Sequence, residues 1–272
     1  MRRIGSSPFA FPDFSGATRQ LIVVNLAAYF VLLLSQVAFR DTAAEVANWL
    51  TFQPWAFLHG ALWQPFTYSF IHYGILETLF ELLSLWFLAG FLETFHNANW
   101  LYGLYAFSVL GTAVAGLVIF LLGDTMRLSM APVPLFGCFG GIFGLLAAIG
   151  MLYGDVEFLL FFAIGIKAKY MAIIFALIAV AMLFGAEKMY AFAQLGGAAA
   201  GLLYARSAPR RGVHFAFSEQ WYGVRNRYYR WKRRRAARKF EVYMRSQGRT
   251  VKFDGQGRVI HEDDADDKKR WN

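Results

Sequence analysis

Apolar positions in this chain come in long unbroken runs rather than in the one-faced stripes of a soluble helix. The runs are Leu21–Phe39, Ile75–Phe95, Trp100–Leu122, Phe143–Tyr153 with an N-terminal extension, Tyr170–Phe184 and Ala191–Tyr204. A helix needs about 20 apolar residues to cross the hydrocarbon core of a bilayer. The first three runs meet that length outright. The last three are short, and neighbouring helices would have to shield them. The pattern predicts an all-α polytopic membrane protein with about six transmembrane helices.

Composition agrees with that solvent. Of the 272 residues, 57% are hydrophobic and only 17% are charged, against about 25% charged in soluble domains. The charges divide the chain into an N-terminal arm over residues 1–19, a membrane domain over 20–206 and a basic tail over 207–272. Met1-Arg2-Arg3 opens the arm without a cleavable leader's small-x-small site. Pro8, Phe11, Pro12 and Phe14 read as an extended segment along the membrane surface. Arg2, Arg3 and Arg19 precede the first run, Lys167 and Lys169 separate the fourth from the fifth, and most of the net charge of +9 follows the sixth. Lys and Arg bias sets orientation, so an even number of spans with both termini in the cytoplasm is expected. The aromatics of segment 40–71 suit an interfacial loop, and residues 155–169 form a second interfacial stretch.

In the tail, aromatics alternate with Arg230, Lys232, Arg233, Arg234 and Arg235. Such a segment is drawn to anionic lipid headgroups, and nucleic-acid binding is the lesser reading. Asp254-Gly255 reads as a tight turn between two short strands. The single Cys138 excludes an intramolecular disulfide and a cysteine-based zinc site, and no cofactor is expected.

Small residues recur at helical spacing at Gly137, Gly140 and Gly144 and again at Gly197 and Gly201, a pattern that lets helices approach closely in lipid. Upstream stands Trp63-Gln64-Pro65-Phe66-Thr67-Tyr68-Ser69-Phe70-Ile71-His72, followed by Glu77, Glu81 and Gly90-Phe91-Leu92-Glu93. Gln194-Leu195-Gly196-Gly197 opens the last run. In this order the blocks resemble the rhomboid family of intramembrane serine proteases. The resemblance covers about residues 15–206 and implies a six-helix bundle in a bacterial inner membrane. It also implies a serine in the G-x-S-G frame, a histidine in the H-x-x-G-x-x-x-G frame, and a second-span H-x-x-x-x-H-x-x-x-N pattern. Phe139 and Gln194 stand at the first two positions, His72, Glu77 and Glu81 in the third, and Gln64 replaces the arginine of a Trp-Arg pair. Glu93 keeps its place.

A phenyl ring cannot attack a carbonyl, and an amide cannot serve as base. Carboxylates would repel an oxyanion. The expectation is therefore a catalytically inactive, pseudoprotease-like member with no catalytic residues, binding transmembrane clients or a membrane complex. Two alternatives remain beside it. One is an active serine-type endopeptidase with an atypical site. Cys138 would be its nucleophile, although a lone apolar-helix cysteine usually serves packing. The other is a proton or cation site at Glu77 and Glu81, which share one helix face at i,i+4.

Overall fold

The computed structural model describes residues 12–125, 134–160, 164–185 and 188–207, with isolated positions between 229 and 246. The chain divides into two units, Met1–Val213 and His214–Asn272. In the second, the described positions Tyr229, Trp231, Lys232, Phe240, Tyr243 and Ser246 are helical and exposed. Arg230, Arg233, Arg234, Arg235 and the turn at Asp254-Gly255 lie outside the described residues.

The first unit is built from nine α-helices among the described residues, joined by one short hairpin. They are α1 (Gly16–Ala38), α2 (Arg40–Leu50), α3 (Pro54–Leu58), α4 (Gln64–Thr67), α5 (Ile75–Glu93), α6 (Ala98–Thr125), α7 (Phe139–Leu152), α8 (Ala168–Met182) and α9 (Lys188–Ser207). Proline opens α3 and falls in the first turn of α4, where its missing N–H costs nothing.

Three helices among the described residues, α1, α5 and α6, are long and apolar enough to cross a membrane. They carry their apolar surface outward as well as inward: Val31 and Leu34 of α1 and Ile75, Leu76 and Phe80 of α5 are exposed. A helix apolar on all sides belongs in lipid, where its internal hydrogen bonds satisfy the backbone.

The expected count of six spans is not confirmed among the described residues. Helices α7 and α8 have 14 and 15 residues, which at ~1.5 Å per residue is roughly 21–23 Å, short of a ~30 Å hydrocarbon core. Helix α9 is 20 residues long but begins with Lys188, ends near Arg206 and carries Gln194, so its composition falls short instead. Nor is the unit wholly helical. Residues 155–169, read as an interfacial stretch, contain an antiparallel hairpin, β1 (Glu157–Leu160) and β2 (Ile164–Lys167), with Glu157 opposite Lys167. Phe158 of this hairpin packs on Phe87 and Phe91 of α5.

Glycine sets how closely α6, α7 and α9 lie. A Cβ added to Gly201 would stand 2.5 Å from Cα of Gly144, and one on Gly197 would stand 2.7 Å from the Gly140 carbonyl. Gly140 and Gly144 are pressed in turn by Thr112 and Ser108 of α6, at 2.2 and 1.9 Å from the same hypothetical atom. Gly111 and Gly196 make the equivalent approach between α6 and α9, against Ala200 and Ala115. The order of these contacts makes α7 and α9 parallel and α6 antiparallel to both. Such backbone-to-backbone packing is how helices associate where lipid removes the hydrophobic driving force between them.

Gly201→Val is expected to destabilise the protein by about 1–3 kcal/mol through overpacking, seen as a lower thermal midpoint in detergent. Gly165→Ala is the control, because its nearest neighbour would be Glu157 Oε2 at 3.9 Å. Equal midpoints for the two variants would remove the glycine seam as a determinant of stability.

Candidate functional site

The polar centre of the first unit begins where α7 begins. Leu135 makes a two-way backbone bridge with Phe52, its N–H donating at 2.9 Å and its carbonyl accepting at 3.0 Å. The Gly137 N–H then donates to the carbonyls of Ile71 and Tyr68 at 2.8 and 3.1 Å. This pins the approach to α7 against the 3₁₀ turn Tyr68–Phe70, and the Tyr68 hydroxyl donates to Val109 in α6. Gly137 has φ +78°, and a Cβ there would lie 2.7 Å from Glu81 Oε1. Conformation and space both demand glycine. Its role is thus different from that of Gly140 and Gly144, with which its spacing had grouped it.

The space at Gly137 is filled by the carboxylate of Glu81, which is 1% exposed. Its Oε2 accepts the N–H of Cys138, the N-cap residue of α7, at 2.6 Å. A helix start leaves N–H groups unpaired and carries partial positive charge. Cys138 forms no side-chain cap of its own, so a glutamate from α5 supplies one. His72 Nδ1 stands 3.3 Å from the same Oε2, in a contact whose angle falls outside hydrogen-bond geometry. On its other side, His72 Nε2 lies 3.1 Å from Asn25 Oδ1, while the Asn25 amide donates to the Leu21 carbonyl at 2.7 Å. The chain of contacts therefore runs from α1 through the loop before α5 to the start of α7, wholly buried.

The same device recurs at the far end of α5. Glu93 Oε1 accepts the N–H of Ala17 at 2.6 Å, and Oε2 accepts both the N–H and the hydroxyl of Thr18 at 2.9 and 2.6 Å. Gly16, at φ +57°, makes room for it. Glu93 thereby caps α1.

Glu77 is placed elsewhere. It lies in the first turn of α5 and is exposed. The i,i+4 spacing puts Glu77 and Glu81 on one face, but α5 begins at Ile75, so Glu77 projects beyond the cover that buries Glu81. They do not form one buried carboxyl pair. Phe139 is partly buried, edge-on to Tyr190 at 6.4 Å between ring centroids. Gln194 is buried in α9, three residues before the Gly197 contact. Glu81 accepts a hydrogen bond from Cys138 and stands in contact with His72. Asn25, which orients His72, had no motif to mark it in the sequence.

A concavity lies between α7, α8 and α9. This groove holds about 320 Å³ and is lined by small and apolar side chains including Ala147, Gly150, Ala176 and Ala198. Lys169 on its rim is bonded to Asp155 at 2.8 Å. That hydrogen bond holds the Asp155 carboxyl below its ordinary range.

Residues 20–211 match a family model described as eukaryotic integral membrane protein (DUF1751). No curated protein matches the chain. The family match overturns two expectations. The assignment to the rhomboid family falls, because the family found is a different one. Glycines at spacings of four answer to helix contact in lipid, and that need is common to unrelated membrane folds. The bacterial inner membrane falls with it, since the matching family is described as eukaryotic. The membrane itself stands.

Glu93→Ala is expected to cost about 1–3 kcal/mol, the penalty for leaving the capped donors of Ala17 and Thr18 without a partner. Glu77→Ala, at an exposed first-turn position, is expected to cost about 1 kcal/mol or less. Thermal or denaturant unfolding in detergent compares them, and a larger loss for Glu77→Ala would refute the assignment of Glu93 as the structural cap.

Proposed function

The chain belongs to the DUF1751 family of eukaryotic integral membrane proteins, and from that premise we propose that it is a non-catalytic receptor for transmembrane segments of other proteins. The groove between α7, α8 and α9 carries the reading. Its lining combines apolar bulk from Phe143, Leu146 and Ile173 with small residues at Ala147, Gly150 and Ala176. Small residues let a foreign helix bring its backbone close, and close backbone contact drives association in lipid. Helix α8 supports the reading. It is short, and its Ile173, Ile174 and Leu177 side chains are exposed, so a visiting helix could reach the groove sideways from the bilayer.

The reading gives these positions no catalytic part: Phe139 has no nucleophilic atom, the Gln194 amide is no base, and Cys138 is fully buried. The tail, residues 207–272, is assigned to the membrane surface. There Arg230, Lys232, Arg233, Arg234 and Arg235 would be drawn to anionic headgroups at ~1 kcal/mol per charge, keeping the protein beside its clients.

Photo-crosslinking tests the groove. A photoreactive amino acid at Ile173 is expected to capture membrane proteins through their transmembrane segments, and Ala176→Trp is expected to reduce that capture severalfold by filling the cavity. The same residue at Leu34, on the exposed face of α1, supplies the lipid-facing background. Capture at Ile173 no greater than at Leu34, or unaffected by Ala176→Trp in a folded protein, would refute the reading.

A further inference from the structure

The buried centre holds three metal-ligating groups from three separate segments. His72 comes from the loop before α5, Glu81 from the second turn of α5, and Cys138 from the start of α7. One ligand atom of each lies within 4.8 Å of the others, and all three residues are buried. We propose that these residues form a binding site for a zinc-type divalent cation, a property separate from the capture of transmembrane segments.

The orientation of His72 is the main ground. The Asn25 amide is fixed by its bond to the Leu21 carbonyl, so Oδ1 is the atom turned toward the imidazole. Oδ1 can only accept, so His72 Nε2 carries the proton and, in the neutral ring, Nδ1 holds a lone pair. That lone pair faces Glu81 and Cys138, and Nδ1 has no hydrogen-bond partner. Metal-bound histidines are held in this way: the remote N–H is tied to an acceptor, which fixes the tautomer and aims the other nitrogen at the ion.

Charge gives a second ground. When metal binding displaces the Cys138 proton, the thiolate, the Glu81 carboxylate and a neutral imidazole carry two negative charges. A divalent cation neutralises them with nothing left over. Among the described residues, no lysine or arginine takes part in the contacts of this centre.

The donor types select the metal class. Sulfur, nitrogen and a single carboxylate suit zinc and its borderline neighbours, whereas magnesium and calcium demand oxygen shells. Tetrahedral bonds of ~2.0–2.3 Å place donor atoms about 3.3–3.8 Å apart, so binding draws the group together by roughly an ångström. Three protein donors leave a fourth position for water or another ligand. A single cysteine excludes a multi-cysteine cage, but a mixed set needs only one.

The full-length protein, purified in detergent without chelators, is expected to contain about one zinc per chain by elemental mass spectrometry. Titration of the metal-stripped protein with Co²⁺ is expected to produce a thiolate-to-cobalt charge-transfer band. Cys138→Ser should abolish that band, and Asn25→Ala should weaken zinc affinity about 10–100-fold in chelator competition. The wild-type spectrum is decisive even where a variant fails to fold. A wild-type protein that holds no zinc and gives no thiolate band at saturating Co²⁺ would overturn the proposal. Persistence of the band in folded Cys138→Ser would overturn it equally.

Discussion

The structure depends on what happens to a helix start that water cannot reach. In lipid or protein interior, the first N–H groups of a helix have no solvent to donate to, and each unsatisfied one costs kcal/mol rather than tenths. Helix α5 meets this need twice. Glu93 receives the first donors of α1, and Glu81 receives the first donor of α7. The two carboxylates are twelve residues apart, roughly 18 Å along the helix axis, so one helix fixes neighbours at two depths. In both places a glycine with positive φ precedes the capped residue, and any side chain there would occupy the carboxylate's position. Glycine and glutamate are two halves of one joint.

The joint at Glu81 positions everything downstream of it. It sets the depth at which α7 starts, and from that depth Gly140 and Gly144 fall opposite Thr112, Ser108, Gly197 and Gly201. A shift of α7 by a residue would turn bulkier Phe143 or Leu145 into contacts sized for hydrogen atoms. The close side of α7 and its open side are then consequences of each other. Glycines draw α7 toward α6 and α9, while α8 meets it mainly near Gly150 and leaves the groove beside Ala147 and Ala176.

Much of the membrane character was legible in the sequence, and the particular residues show why the rest was not. The uninterrupted runs around α1, α5 and α6 need no partner to be recognised, because lipid itself dictates their length. The shorter runs at α7 and α8 depend on neighbours, and sequence does not say which neighbours cover them. Periodicity placed Glu77 and Glu81 on one face, but exposure along a face changes where the helix ends, and Ile75 is the end. His72 and Asn25 are 47 positions apart, so no spacing rule connects them. The family failed for a related reason. A glycine seam reports how close two helices lie, and unrelated membrane folds converge on that solution.

The buried centre also explains how Glu81 can serve both structure and ligand. A carboxylate has two oxygens and about four lone-pair directions. The cap on Cys138 uses one direction on Oε2, which leaves acceptor capacity pointing toward His72. The N–H that Glu81 caps belongs to the residue whose sulfur completes the cluster, so fixing the start of α7 also fixes Cys138. Asn25 does the same for His72 from α1. Each donor is positioned by a bond that the fold needs anyway, so a binding site could arise here without loosening the structure that contains it.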